Sequence, residues 1–118
     1  MRTKPLAVAA AVAATAAAAY ASAPPVGPLP AGPTSTIATT AGELVAVALP
    51  HRSGGRSWRI ARTFNSSVVR EVSEADVGAN VVIVFRATGA GTATLRFALT
   101  RGETAKALES RTVVVRVR

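Results

Sequence analysis

The chain has no cysteine, a single histidine and only 4% aromatic residues, and each shortage removes a class of protein. Without cysteine there are no disulfide staples, no thiol chemistry and no lipid-modified thiol, so the fold rests on its hydrophobic core alone. So few aromatics cannot build a base-stacking platform for nucleic acid. One histidine and six Asp and Glu residues, dispersed along the chain, offer no ligand cluster at a metal-binding spacing, and no cofactor is implied. A hydrolase is equally hard to assemble. His51 could serve Ser53 or Ser57, but a triad also needs a carboxylate that orients the ring, and no strand-turn-helix elbow is present. The chain therefore reads as a non-enzyme with no small-molecule substrate.

Long apolar runs are also lacking, with one partial exception at the front. Arg2 and Lys4 precede an uncharged, alanine-dominated run from Leu6 to Ala19, followed by Ala19-Tyr20-Ala21. That is the layout of an export signal, residues 1–21. The run is shorter than the roughly 20 apolar residues that a membrane span needs, so the expectation is a secreted, periplasmic or cell-envelope product with no stable span once the leader is cut. Residues 22–34 contain SAPPVGPLPAGP, whose prolines exclude helix and central strand; they read as a flexible linker, an extended tether. About 80 residues remain, enough for one domain, 35–118, near the lower limit of core-only stability and expected to be monomeric.

Charge is lopsided. Fourteen Lys and Arg against six Asp and Glu give +8, or +6 once Arg2 and Lys4 are set aside with the leader. Such an excess can attract acidic polymers. The arginines are scattered, however, and often alternate with apolar residues, as on the solvated face of a sheet; no run suggests a nucleic-acid site.

What the chain does contain is period-two alternation. Val45, Val47 and Leu49 face one way, as do Leu95, Phe97 and Leu99, and Val113, Val115 and Val117, so each segment predicts a strand with one buried face. Val81 to Ala87 is almost continuously apolar and β-branched, which predicts a central strand covered on both faces or nearly so. Thr36–Thr40, Trp58–Thr63 and Ser67–Val72 are shorter strand candidates. Turn clusters lie between them at Ser53-Gly54-Gly55, Gly78-Ala79-Asn80, Gly89-Ala90-Gly91 and Arg101-Gly102. Asn65-Ser66-Ser67 fits a glycosylation acceptor pattern and reads as a polar turn. Thr104 to Ser110 is the best helical candidate beyond the leader and is too short to stand alone. The expected fold is an all-β, immunoglobulin-like antiparallel sandwich of six to seven strands.

The loops carry a more specific signal. Gly42-Glu43-Leu44-Val45 leads to Leu49-Pro50, then to His51-Arg52-Ser53-Gly54-Gly55 and, after two intervening residues, Trp58. This resembles the chagasin family of cysteine-protease inhibitors, whose first loop follows a GELV-like strand ending in Leu-Pro and has the form NPTTG followed by Trp. Phe85-Arg86-Ala87 and Ala90 to Leu95 look like that family's strand pair, Gly78-Ala79-Asn80 resembles the start of its glycine-rich middle loop, and Arg101 falls on the arginine of its RPW loop. The resemblance spans residues 36–117. It implies a sandwich whose three end loops, His51 to Gly55 with Trp58, Gly78 to Asn80, and Arg101 to Glu103, straddle and occlude the cleft of a papain-like cysteine protease without being cut.

Several positions depart from that pattern. His51, Arg52, Ser53 and Gly54 replace the N, P, T and T of the first loop, the middle loop is about two residues short, and Gly102 and Glu103 stand where the third loop has Pro and Trp. A buried indole anchor of that kind contributes roughly 2 to 4 kcal/mol, so a steep drop in affinity for the family's usual targets is expected. Taken as residues alone, Trp58 reads as a core or sheet-end packing residue, Gly55 as a turn glycine and Arg101 as a solvated arginine. Two functions stay open: a protease inhibitor, and a noninhibitory envelope or extracellular adhesion module that binds acidic polymers through its arginine-rich faces.

Overall fold

The computed structural model describes residues 25–118; the expected leader, 1–21, and the first residues of the expected linker lie outside the described residues. Seven strands follow in order: β1 Thr34–Thr39, β2 Leu44–Pro50, β3 Arg56–Ile60, β4 Val69–Val77, β5 Asn80–Ala87, β6 Gly91–Arg101 and β7 Glu109–Val117. They form two sheets, β1-β7-β6-β3 and β2-β5-β4. All neighbours are antiparallel except β1, which lies parallel to β7. No helix among the described residues is long and apolar enough to cross a membrane.

The alternation read from the sequence explains the packing. Because successive side chains leave a strand on opposite sides, Val45, Val47 and Leu49 of β2 and Ile83, Phe85 and Ala87 of β5 point into the sandwich. They meet Ala93, Leu95, Phe97 and Leu99 of β6 and Val113, Val115 and Val117 of β7. Phe85 sits edge-on between Phe64 and Phe97, with ring centroids 5.8 and 6.3 Å apart, the arrangement that aromatic quadrupoles favour.

Four elements differ from expectation. β5 is central in its sheet but buries one face: Val82 and Val84 are only half-buried and Arg86 is exposed, because a two-layer sandwich has no third layer to cover them. β4 runs well past Val72, through a bulge between Glu71 and Ser73. Its Glu71, Glu74 and Asp76 pair with Phe85, Ile83 and Val81 and so lie on the core-facing side of the sheet edge, a charge pattern that hinders addition of a further strand. The helical candidate at 104–110 is an irregular loop that enters β7 at Glu109; the Thr104 and Ala105 carbonyls are taken by Arg59 and Gly27 rather than by a next helical turn.

The fourth difference concerns the proline-rich stretch. Residues 25–33 form no helix or strand, but they are docked rather than free. Val26 is buried, the Ser110 hydroxyl donates to the Pro30 carbonyl at 2.6 Å, and the Thr112 amide donates to the Pro33 carbonyl at 3.0 Å. The first strand follows at once, from Thr34.

Candidate functional site

Three connections meet at one end of the sandwich. The β2–β3 loop, residues 51–55, is the middle member. On one side the His51 amide donates to the Ala79 carbonyl at 2.9 Å, which ties it to the β4–β5 turn. On the other the Gly102 amide donates to the Gly55 carbonyl at 3.3 Å, which ties it to the β6–β7 loop, residues 102–108. The pairings Pro50 with Asn80 and Arg56 with Arg101 set these contacts, because they end the neighbouring strands at a common level.

The first loop is shaped by its glycines and held by its arginines. Gly54 and Gly55 have φ of 77° and 72°, a left-handed pair of positions that side chains with a Cβ resist. Arg56 and Arg101 face each other across strands, and each guanidinium reaches back to a loop carbonyl. Arg56 donates to Ser53 at 2.6 Å and Arg101 to Gly54 at 3.3 Å. Arg52 makes a two-pronged bond with Glu109 of β7, at 2.8 and 3.1 Å. The hydrogen bond from Arg52, followed by its charge, holds the Glu109 carboxyl below its ordinary value against the opposing pull of desolvation, and the same bond raises Arg52. His51 lies with Nε2 3.2 Å from Asp76 Oδ1, both side chains largely in solvent.

The turn between β4 and β5 is tight. Val77 pairs directly with Asn80, so only Gly78 and Ala79 connect the strands, with positive φ at Gly78 alone. Glycine at the first central position of a two-residue hairpin is the II′ pattern. The third loop starts at Gly102, φ 63°, whose carbonyl accepts from the buried Thr100 hydroxyl at 2.6 Å. Glu103 follows, exposed.

Of the candidate residues, His51, Ser53, Gly54, Gly55, Gly78, Ala79, Arg101, Gly102 and Glu103 lie exposed on this rim, with Arg52 and Asn80 half-buried among them. Trp58 does not join them. It is 6% exposed within the core, its indole N–H donates to the Pro50 carbonyl at 2.8 Å, and the Arg111 guanidinium lies 5.8 Å from the ring centroid. It is the pier under the first loop and offers no surface to a partner. The sequence reading missed Glu109, Asp76 and Arg56 as rim partners. Glu109 is 57 positions from Arg52, and no local pattern marks such a pairing. Among the described residues, no group of three His, Cys, Asp or Glu could hold a metal ion.

No protein-family model matches the chain, and no curated protein matches it in sequence. Solved structures do. The crystal structure of EhICP2, a cysteine protease inhibitor from Entamoeba histolytica, matches with a TM-score of 0.53 at 18% identity, covering 75% of this chain and 99% of that one. The solution structure of amebosin matches with a TM-score of 0.50 at 18% identity, covering 75% of this chain and 100% of that one. This similarity establishes the fold: seven strands in two sheets, the immunoglobulin-like sandwich that the chagasin resemblance implies.

Proposed function

We propose that the protein is an inhibitor of papain-like cysteine proteases whose three-loop rim plugs the active-site cleft. The observation that carries this reading is the continuous hydrogen bonding of the rim, Ala79 to His51 and Gly55 to Gly102. It presents the β4–β5 turn, the first loop and the third loop as one edge instead of three separate tips. The loop resemblance and the inhibitor whose fold the chain shares support the same choice.

The physical case rests on preorganisation. Glycine-rich backbone can approach the wall of a cleft closely. Loop carbonyls already bonded to Arg56, Arg101 and Trp58 have little freedom left to lose on binding. The first loop would enter the cleft, with the turn and the third loop against its two shoulders. Glu103, where the family has an indole, removes an apolar anchor and adds a charge, so the targets would be enzymes with a basic or polar shoulder at that point. The reading takes a single copy acting after export, outside the cytoplasm.

Titration of the purified chain against several papain-like enzymes, followed by residual peptide hydrolysis, tests it. Inhibition that saturates at one equivalent and changes little with salt is expected. No inhibition at micromolar concentration across the panel, or binding to acidic polymers that falls steeply as salt rises, would transfer the function to the adhesion reading.

A further inference from the structure

We infer that residues 26–33 form a strap that fixes the β6–β7 loop, so that the third member of the rim is positioned by chain lying ahead of the first strand. The role in binding rests on the protease reading above; the mechanical role does not.

The strap crosses the outer face of the four-stranded sheet from one edge to the other. It leaves β1 beside β7, where the Thr112 amide binds the Pro33 carbonyl. It then passes over Ser110, whose hydroxyl binds the Pro30 carbonyl. It ends beyond β3, where Arg62 donates to the Val26 and Gly27 carbonyls, at 2.9 Å each. At that end the Gly27 amide donates to the Ala105 carbonyl at 2.7 Å, which is the direct link to the rim loop. Arg59 of β3 holds the adjacent Thr104 carbonyl at 2.6 Å.

Burial tells the same story. Ala98 and Thr100 alternate with the core residues Phe97 and Leu99, so they belong to the outer side of β6, yet both are fully buried, and Ser110, paired with Ala98, is 7% exposed. A two-layer sandwich leaves that side open to water. Here the strap and the folded-back loop close it. Proline suits the task, since Pro28, Pro30 and Pro33 bring no N–H that would need a partner and lose little backbone entropy on docking. The fit is close at Gly32, where any Cβ would overlap the Ser110 carbonyl.

Amide hydrogen exchange on the full chain tests the strap. Gly32→Val drives it from Ser110, and Arg62→Ala removes both bonds at its far end; Ser110→Ala is the milder variant, should Gly32→Val fail to fold. About tenfold faster exchange over residues 103–108, with β5 and β6 core amides unchanged, is expected from opening a locally bonded unit. Inhibition should weaken in step. A loosened loop in a chain that inhibits nothing would uphold the strap and remove the protease reading. Unchanged exchange at 103–108 in all three variants, or wild-type residues 26–33 exchanging like unfolded chain, would overturn the strap itself. Equal acceleration everywhere would reduce it to general stability.

Discussion

Replacing Trp58 by Phe separates a pier from a contact. The indole is 6% exposed and its N–H is bonded to the Pro50 carbonyl at 2.8 Å. Phe keeps most of the packing but loses the bond, which costs about 1 kcal/mol, with about 1 kcal/mol more for the half-buried carbonyl left without its donor. The smaller ring gives up roughly 40 Å² of apolar contact, about another 1 kcal/mol. The total of about 2 to 3 kcal/mol corresponds to a fall in Tm on the order of 10 °C or more for a domain of this size. The assay is thermal and urea unfolding followed by circular dichroism, alongside inhibition of one responsive protease. Because Trp58 props the loop without touching the partner, inhibition should weaken only modestly at temperatures where the variant is folded. A variant as stable as wild type, within about 0.5 kcal/mol, but stripped of inhibition would refute the reasoning and return Trp58 to the binding surface.

Other perturbations follow from the same geometry. Phe97→Ala empties a fully buried site in edge contact with Phe85. At roughly 3 to 5 kcal/mol, against a total of about 5 kcal/mol for a chain of this length, it should leave a stability of only about 0 to 2 kcal/mol, read as a much lower urea midpoint and Tm by circular dichroism. Glu109→Gln removes the charge that grips Arg52. The carboxyl lies below its ordinary value of 4.5 in the folded chain, so its stabilisation is fully present above that pH and is lost as pH falls through the lower folded value. Urea unfolding should therefore show wild type above the variant at neutral pH, with the gap closing only below pH 4.5; a gap that closes near neutrality would place the effect elsewhere. For Glu74 the sign reverses. Partial burial, then the charges of Glu71 and Asp76, raise its carboxyl, so the charged form costs stability above the ordinary value and Glu74→Gln should raise the urea midpoint slightly at neutral pH.

The sandwich was legible because three of its strands carry their apolar residues at every second position. Val45 to Leu49, Leu95 to Leu99 and Val113 to Val117 alternate cleanly, and each occupies a strand with the predicted side inward. The far half of β4 was not legible, since Glu74 and Asp76 stand where a buried face would carry apolar residues and only the edge position makes them tolerable. The strap was hidden for a different reason. Proline content states which structures residues 25–33 cannot form and is silent on where they lie. At the rim, the turn residues marked the loops correctly as turns, but the ties that join them run between residues far apart in the chain. The Arg52 and Glu109 pair and the His51 and Asp76 pair emerge only once the strands are in register.

The most direct measurement is a footprint of bound protease on the isotope-labelled chain, using papain with its catalytic cysteine blocked and following backbone amide shifts by NMR. Changes should concentrate at His51 to Gly55, Gly78 to Asn80 and Arg101 to Glu103, with Trp58 shifted only weakly through Pro50. Changes confined to the outer sheet faces, around Arg70 and Arg86 or Arg96 and Arg116, with a silent rim, would contradict the protease reading.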